Sequence, residues 1–93
     1  MHEVETKIRG ILKRNLIILG LTGVSVESIK NEDRFIDDVG IDSVGIMGLV
    51  SDIEKEFNIK IEEGELTVEN FSTLGKTAAY VQSKLSTGDV KNG

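Results

Sequence analysis

Ser43 is the side chain best placed to do chemistry. It follows the acidic loop Phe35-Ile-Asp-Asp-Val-Gly-Ile-Asp42 and heads an apolar stretch with helical spacing. A helix N-terminus offers unpaired N–H groups and a partial positive charge. A hydroxyl there is suited to bear a phosphoester, because the helix end favours the phosphate charge. Asp42, one residue earlier, is suited to cap the helix. Capping alone accounts for many such Asp-Ser pairs, and from these two residues that simpler role stays open.

Other chemistries are poorly served. The chain has no cysteine, which excludes a disulfide framework, a thiolate zinc site and a protein-borne thiol nucleophile. The one histidine is His2, near the start of the chain, so a histidine-based catalytic dyad is not expected. Gly40-Ile-Asp-Ser43-Val-Gly45 has one residue too many before the serine for a Gly-x-Ser-x-Gly nucleophile elbow, and no strand pattern precedes it. An EF-hand loop begun at Asp37 would place Val39 and Ile41 at ligand positions. Neither an enzyme in its own right nor a metal site is expected.

The elements that must position Ser43 are helical. Val4, Ile8, Ile11, Leu12, Asn15 and Leu19 share one stripe, predicting a helix from about Val4 to Leu19 with Gly20 as its stop. A long connection runs from about Leu21 to Asp42. Its apolar residues, Val26, Ile29, Phe35, Ile36 and Val39, suggest that it is pinned to the core. Ser25 is a candidate cap for a short turn through Ile29. The second helix starts at Asp42–Ser43 and runs to about Phe57. Ile46, Val50, Ile53 and Phe57 form its core stripe, Met47 and Leu49 flank it, and Asn58 is the stop. Ile59-Lys60-Ile61 alternates but is too short to form a sheet. A helical turn over Thr67 to Phe71 leads to a last helix from Ser72 or Thr73, with Leu74, Ala78, Val81 and Leu85 inward. The expected fold is all-α: a small bundle of three principal helices plus one short helix, with a long loop between helices 1 and 2. The domain spans residues 1–85, and residues 86–93 are expected to be a disordered tail.

Composition bounds the function. Ninety-three residues, 39% of them hydrophobic, fit one small domain with a core of Ile, Leu and Val, since there are only three Phe and one Tyr. No apolar run approaches the ~20 residues that a membrane helix needs, and the mixed charges of the N-terminus do not resemble a signal peptide. A soluble cytoplasmic monomer is expected. The net charge of −5 is unevenly spread: residues 32–69 carry twelve acids and three bases, between mildly basic ends. Such a surface suits a basic patch on another protein and disfavours nucleic acid.

The chain resembles the acyl carrier protein family over roughly residues 4–85. The resemblance is carried by Phe35-x-Asp37-Asp38-Val39-Gly40-x-Asp42-Ser43-Val44, by Leu49-Val50, by Ile53-Glu54-x-Glu56-Phe57-x-Ile59-x-Ile61, and by Phe71-Ser-Thr73-Leu74. It implies that Ser43 receives 4′-phosphopantetheine from coenzyme A, through a phosphopantetheinyl transferase. The arm's thiol would then hold acyl groups as thioesters, so a cysteine-free chain borrows its thiol. By the same resemblance Asp42 helps the transferase engage, and Val44 and Met47 border a groove beside the arm. Asp42 also suits the fatty-acid or polyketide branch, with D-alanyl carriers an alternative. Acyl-loading and synthase enzymes with basic patches would be the partners, met by Asp38, Glu54 and Glu56.

One departure stands out. Members of general fatty-acid synthesis place acids two and five residues after the modified serine, whereas here Gly45 and Gly48 occupy those positions. A glycine in a helix interior costs ~1 kcal/mol relative to alanine. The pair is expected to leave a flat, exposed patch for a dedicated partner, and acids in their place are expected to raise thermal stability. An unmodified helical adaptor with an acidic face is the competing function from another class.

Overall fold

The computed structural model describes residues 2–21 and 23–86. Four helices form the architecture: α1 (His2–Ile18), α2 (Ser43–Phe57), the one-turn α3 (Val68–Phe71) and α4 (Leu74–Ser86). The expected all-α bundle of three long helices and one short one is therefore what the chain adopts. α1 packs on both α2 and α4, and α3 packs on α4. The core is aliphatic and continuous. Ile8 and Leu12 of α1, Leu49 and Ile53 of α2, and Leu74, Ala78 and Val81 of α4 are fully buried, together with Phe35 and Ile59 from the connections.

Helix ends follow local chemistry. Beyond α1, Gly20 has φ +79°, the Leu21 N–H donates to the Leu16 carbonyl at 2.8 Å and the Gly20 N–H donates to that of Ile17 at 3.1 Å. This is a Schellman closure. Leu16 lies in the core, whereas Leu19, expected on the buried stripe, is partly exposed because the helix has ended. α2 is capped by Asp42, whose Oδ1 accepts from the Gly45 N–H at 2.8 Å, and Asn58 ends it in the left-handed conformation. Leu49, expected only to flank the α2 stripe, is fully buried; Ile46, expected in the core, is half-buried. Ser25 precedes the turn Val26–Ser28 but its side chain caps nothing; its hydroxyl lies 3.2 Å from Glu27. Ser86 closes α4, and the rest of the expected disordered tail lies outside the described residues.

The long connection is pinned, as its apolar residues imply, but by backbone as well as side chains. The Phe35 N–H donates to the Ser72 carbonyl at 2.9 Å, and Arg34 pairs with Thr73 in an isolated antiparallel bridge. Phe35–Val39 forms one wide π-type turn, closed by the Val39 N–H on the Arg34 carbonyl at 3.0 Å. Gly40, with φ +95°, turns the chain from it toward α2. Downstream, the Ile61 N–H donates to Glu54 Oε2 at 2.7 Å, holding Ile59 and Ile61 inward while Lys60 faces solvent.

Two polar links tie the bundle together. Asn15, buried on α1, donates from Nδ2 to Asp52 Oδ2 on α2 at 2.8 Å and to its own Ile11 carbonyl at 3.0 Å. On α4, the mostly buried Lys84 ammonium lies 3.1 Å from Glu65. The Glu65 carboxyl is held below its ordinary value of 4.5, first by the Glu62 N–H donated to it at 3.1 Å and then by Lys84.

Gly45 and Gly48 do not form an exposed patch. Gly45 is buried against Ile41 and Leu19, just past the end of α1, and Gly48 is half-buried against Asn15 of α1. A Cβ at Gly45 would sit 2.6 Å from Ile41 Cγ2 and 2.9 Å from Leu19 Cδ1; one at Gly48 would sit 3.1 Å from Asn15 Oδ1. Leu19 has a flexible, partly exposed end that can yield, but the Ile41 methyl belongs to a buried, β-branched side chain that cannot. The glycines are thus sites of close approach, and the expected stabilisation by larger residues reverses at Gly45. Overpacking at ~1–3 kcal/mol outweighs the ~1 kcal/mol that helix propensity would return. Gly45→Ala should therefore lower Tm, by about 4–8 °C for each 1 kcal/mol lost, and by more than Gly48→Ala does. An unchanged or raised Tm in Gly45→Ala would contradict this packing.

A carboxyl whose folded-state pKa is depressed contributes stability above its unfolded value and loses it as pH falls through the folded value. Glu65→Gln should accordingly melt below the native chain near neutral pH. The gap should narrow as pH drops through and below 4.5. Thermal melts by circular dichroism across that range measure it, and a gap independent of pH would rule out the ionised carboxylate as the source.

Candidate functional site

The first turn of α2 presents Ser43 to solvent. Asp42 fixes that presentation: its cap on the Gly45 N–H, and the Ile46 N–H donated to the Asp42 carbonyl at 3.0 Å, hold residues 42–46 in one rigid turn. The Asp42 side chain is thereby committed to the helix end. Ser43 itself is exposed and lines a groove of about 580 Å³. The walls come from the π-type turn (Ile36), α2 (Ile46, Met47), the α3 region (Leu66, Val68, Phe71) and the head of α4 (Thr73, Lys76). Phe71 is buried against Tyr80, ring centroids 5.1 Å apart and edge-on, which stiffens the groove floor.

Met47 lines this groove, but Val44 does not. Val44 is 77% exposed beside Ser43, because one residue along a helix turns the side chain about 100° away. Ile46, expected in the core, instead forms groove wall. Ile36, expected to help pin the connection to the core, is 57% exposed and lines the groove instead, as do Val68, Thr73 and Lys76, which sequence reasoning did not assign to it. Arg34 and Lys76 bring positive charge to the groove, but both are engaged, Arg34 with Asp37 at 3.3 Å and Lys76 with Glu69 at 3.6 Å. These are exposed pairs of small energetic weight.

The three carboxylates expected to meet partners differ in kind. Glu54 is half-buried and accepts the Ile61 N–H, so it supports the chain turn after α2. Asp38 is exposed but accepts the Arg34 N–H at 2.8 Å, closing the π-type turn. Glu56 is exposed and has no hydrogen bond or ion pair among the described residues. Gly45 and Gly48, expected on the partner face, lie instead at the α1 junction. Among the described residues no cluster of His, Asp and Glu is arranged to hold a metal ion, and no helix is long and apolar enough to cross a membrane.

An exposed serine on a helix first turn, beside a groove to which Ile36, Ile46, Met47, Leu66, Val68 and Phe71 give an apolar surface, fits a long arm with a phosphate at one end and an apolar cargo at the other. Comparison with known proteins agrees. The family described as "Phosphopantetheine attachment site" matches residues 7–81. An acyl carrier protein of Thermotoga maritima is 34% identical over 84 residues, covering 90% of this chain and 94% of its own. That of Buchnera aphidicola subsp. Schizaphis graminum is likewise 34% identical over 84 residues, covering 90% and 96%. In fold, the chain is similar to the solution NMR structure of a holo acyl carrier protein from Nitrosomonas europaea, with a TM-score of 0.73 and 24% identity over 92% of this chain and 99% of that one. The chain belongs to the acyl carrier protein family, whose members are carriers and not catalysts, and its covalent prosthetic group is 4′-phosphopantetheine.

Proposed function

We propose that Ser43 is the attachment residue, and that residues 1–85 act as a monomeric domain carrying acyl intermediates in fatty-acid, polyketide or related lipid biosynthesis. The observation that carries the reading is the serine itself. Ser43 is exposed on the first turn of α2, lining the groove, within the residues matched to the attachment-site family. When attached, the group supplies a thiol that holds the acyl chain as a thioester.

This chain's residues supply position and surroundings. Asp42 keeps the turn rigid by holding the Gly45 N–H, so Ser43 stays exposed for the transferase. The dipole of α2 favours the phosphodiester next to its N-terminus. Ile36, Met47 and Val68 give an apolar surface along which an acyl chain can lie, and Phe71 closes its floor. Partner enzymes with basic patches are drawn by the acids of residues 32–69, an attraction screened over ~8 Å at physiological salt. The setting of these steps is the cytoplasm.

Incubation with coenzyme A, magnesium and a broad-specificity phosphopantetheinyl transferase should raise the intact mass by one phosphopantetheine, mapped to Ser43. Ser43→Ala should abolish the gain while changing stability by no more than ~0.5 kcal/mol, since Asp42 supplies the cap and the site is exposed. A gain that survives in Ser43→Ala, or maps to another residue, would sink the assignment. Absence of any gain in the native chain would favour the adaptor reading.

Glu56→Lys should slow association with an acyl-loading enzyme at low salt, with the difference fading as salt rises. It should leave Tm unchanged, because Glu56 is exposed and has no partner among the described residues. Glu3→Lys is the control. Equal slowing by both substitutions, measured by stopped-flow binding, would make the acidic block a solvated surface only.

A further inference from the structure

The groove that Ser43 lines is mixed in chemistry, and its cations have no part in the carrier role as described so far. Over residues 32–69, which supply most of its walls, acids outnumber bases twelve to three. The charged residues of the groove lining run the other way: two bases, Arg34 and Lys76, and one acid, Asp37. The fold brings the two bases together from segments far apart in the chain. Arg34 pairs with Thr73 in the isolated antiparallel bridge, and the adjoining Phe35 N–H is held by the Ser72 carbonyl at 2.9 Å. Thr73 Oγ1 in turn accepts the Lys76 N–H at 3.1 Å, so Lys76 stands on the first turn of α4 beside that bridge. The same groove carries the apolar surface of Ile36, Ile46, Met47, Val68 and Phe71.

Neither cation is used up by the fold. Arg34 Nη1 donates to Asp37 Oδ2 at 3.3 Å, while its Nε and Nη2 make no hydrogen bond among the described residues. Lys76 Nζ lies 3.6 Å from Glu69, too far for a good hydrogen bond, and Glu69 is 81% exposed and outside the groove lining. Exposed pairs of this kind return little free energy, so a further anion can join or replace them at small cost. A guanidinium presents its donors as a fork that matches a carboxylate, and Arg34 can hold Asp37 and a second carboxylate together. An amphipathic guest suits such a groove: a carbon chain for the apolar surface and an anionic end for Arg34 and Lys76. A plain alkyl chain gains nothing from the cations and strips water from them where it covers them.

We propose that the cargo of this carrier is an acyl chain whose far end bears a carboxylate, and that Arg34 and Lys76 select it over a chain of equal length ending in a methyl group. The proposal rests on Ser43 bearing the arm, and it names the class of acyl group that the arm would hold in the groove. The selection is by charge as well as by shape, since a carboxylate finds partners there that a methyl end does not. The arm brings an anion of its own, the phosphodiester on Ser43, and the experiment separates the two.

A broad-specificity transferase loads the native chain, Arg34→Gln, Lys76→Gln and Lys76→Arg from coenzyme A thioesters. The acyl groups are adipoyl and suberoyl, each matched by the monocarboxylic chain of equal length, hexanoyl and octanoyl, and the unacylated holo form is the reference. Amide NMR signals of residues 34, 73 and 76 should move when a dicarboxylic chain is added to the holo form, and stay in place with its match. Cleavage of the thioester by hydroxylamine, referred to the free acyl-pantetheine, should be about threefold slower for the dicarboxylic chain, the worth of an exposed ion pair. Arg34→Gln and Lys76→Gln should each lose most of that difference, as should high salt, and Lys76→Arg should keep it. Circular dichroism melts of the variants should match the native chain, because both side chains are largely exposed in weak pairs. Equal shifts and equal cleavage for the two kinds of chain overturn the proposal. Shifts already complete in the unacylated holo form also overturn it, and assign the cations to the phosphate of the arm. Failure of loading refutes the Ser43 reading alone; titration with free suberoyl- and octanoyl-pantetheine then tests the groove, and the same amides moving with both or with neither overturns the selection.

Discussion

The close approach of α1 to the first two turns of α2 is the constraint on which the site depends. Without side chains at Gly45 and Gly48, α2 can settle against Ile41, Leu19 and Asn15 at distances that a Cβ would not tolerate. The Asn15–Asp52 hydrogen bond then fixes how far one helix can slide along the other. A buried amide that lost this partner would carry an unsatisfied polar group, a larger cost than the bond is worth when made. Position and register of α2 are set together, and with them the direction in which Ser43 faces.

From that anchor the groove follows. The connection leaves α1 beside the first turn of α2, where Leu19 lies over Gly45, and on its way to α2 it borrows backbone from the head of α4. The Phe35 N–H on Ser72 and the Arg34–Thr73 bridge tie it to the head of α4, so the groove between α2 and α4 has a wall that neither helix provides. Phe35 is buried completely by the same turn that leaves Ile36 at the groove. One residue serves the core and its neighbour serves the site. The arrangement suits a carrier, because the chemistry is supplied by a borrowed arm and by other enzymes. The protein's own part is to hold one serine exposed and to offer a groove beside it.

Much of this was legible in the residues. Apolar spacing marked α1, α2 and α4, since a helix needs one buried stripe and the chain writes it at intervals of three and four. Asp42 and Asn58 bounded α2 because caps act locally, within one turn. Thr67 opened α3 for the same reason, its hydroxyl accepting the Asn70 N–H. The Ser43 motif was legible because a phosphoester site needs a small set of residues close together in sequence.

Tertiary structure alone decided the rest. Whether Gly45 and Gly48 face solvent or pack against Ile41, Leu19 and Asn15 depends on how distant segments meet, and a helix has no local signal for which of its glycines meets a neighbour. Glu54 read as surface charge until the Ile61 N–H, seven residues on, was found to point at it. Leu19 belonged to the buried stripe by spacing, but the helix ended one residue earlier and left it to lie over Gly45. Val44 and Met47 were alike by type and by nearness to Ser43, yet only Met47 turns toward the groove. Sequence by itself determined which residues form helices and which serine stands at a helix mouth, because those depend on forces acting within a few residues. The fold decided what surrounds that serine, because the groove and the glycine junction are each built from segments that meet only when the chain has closed on itself.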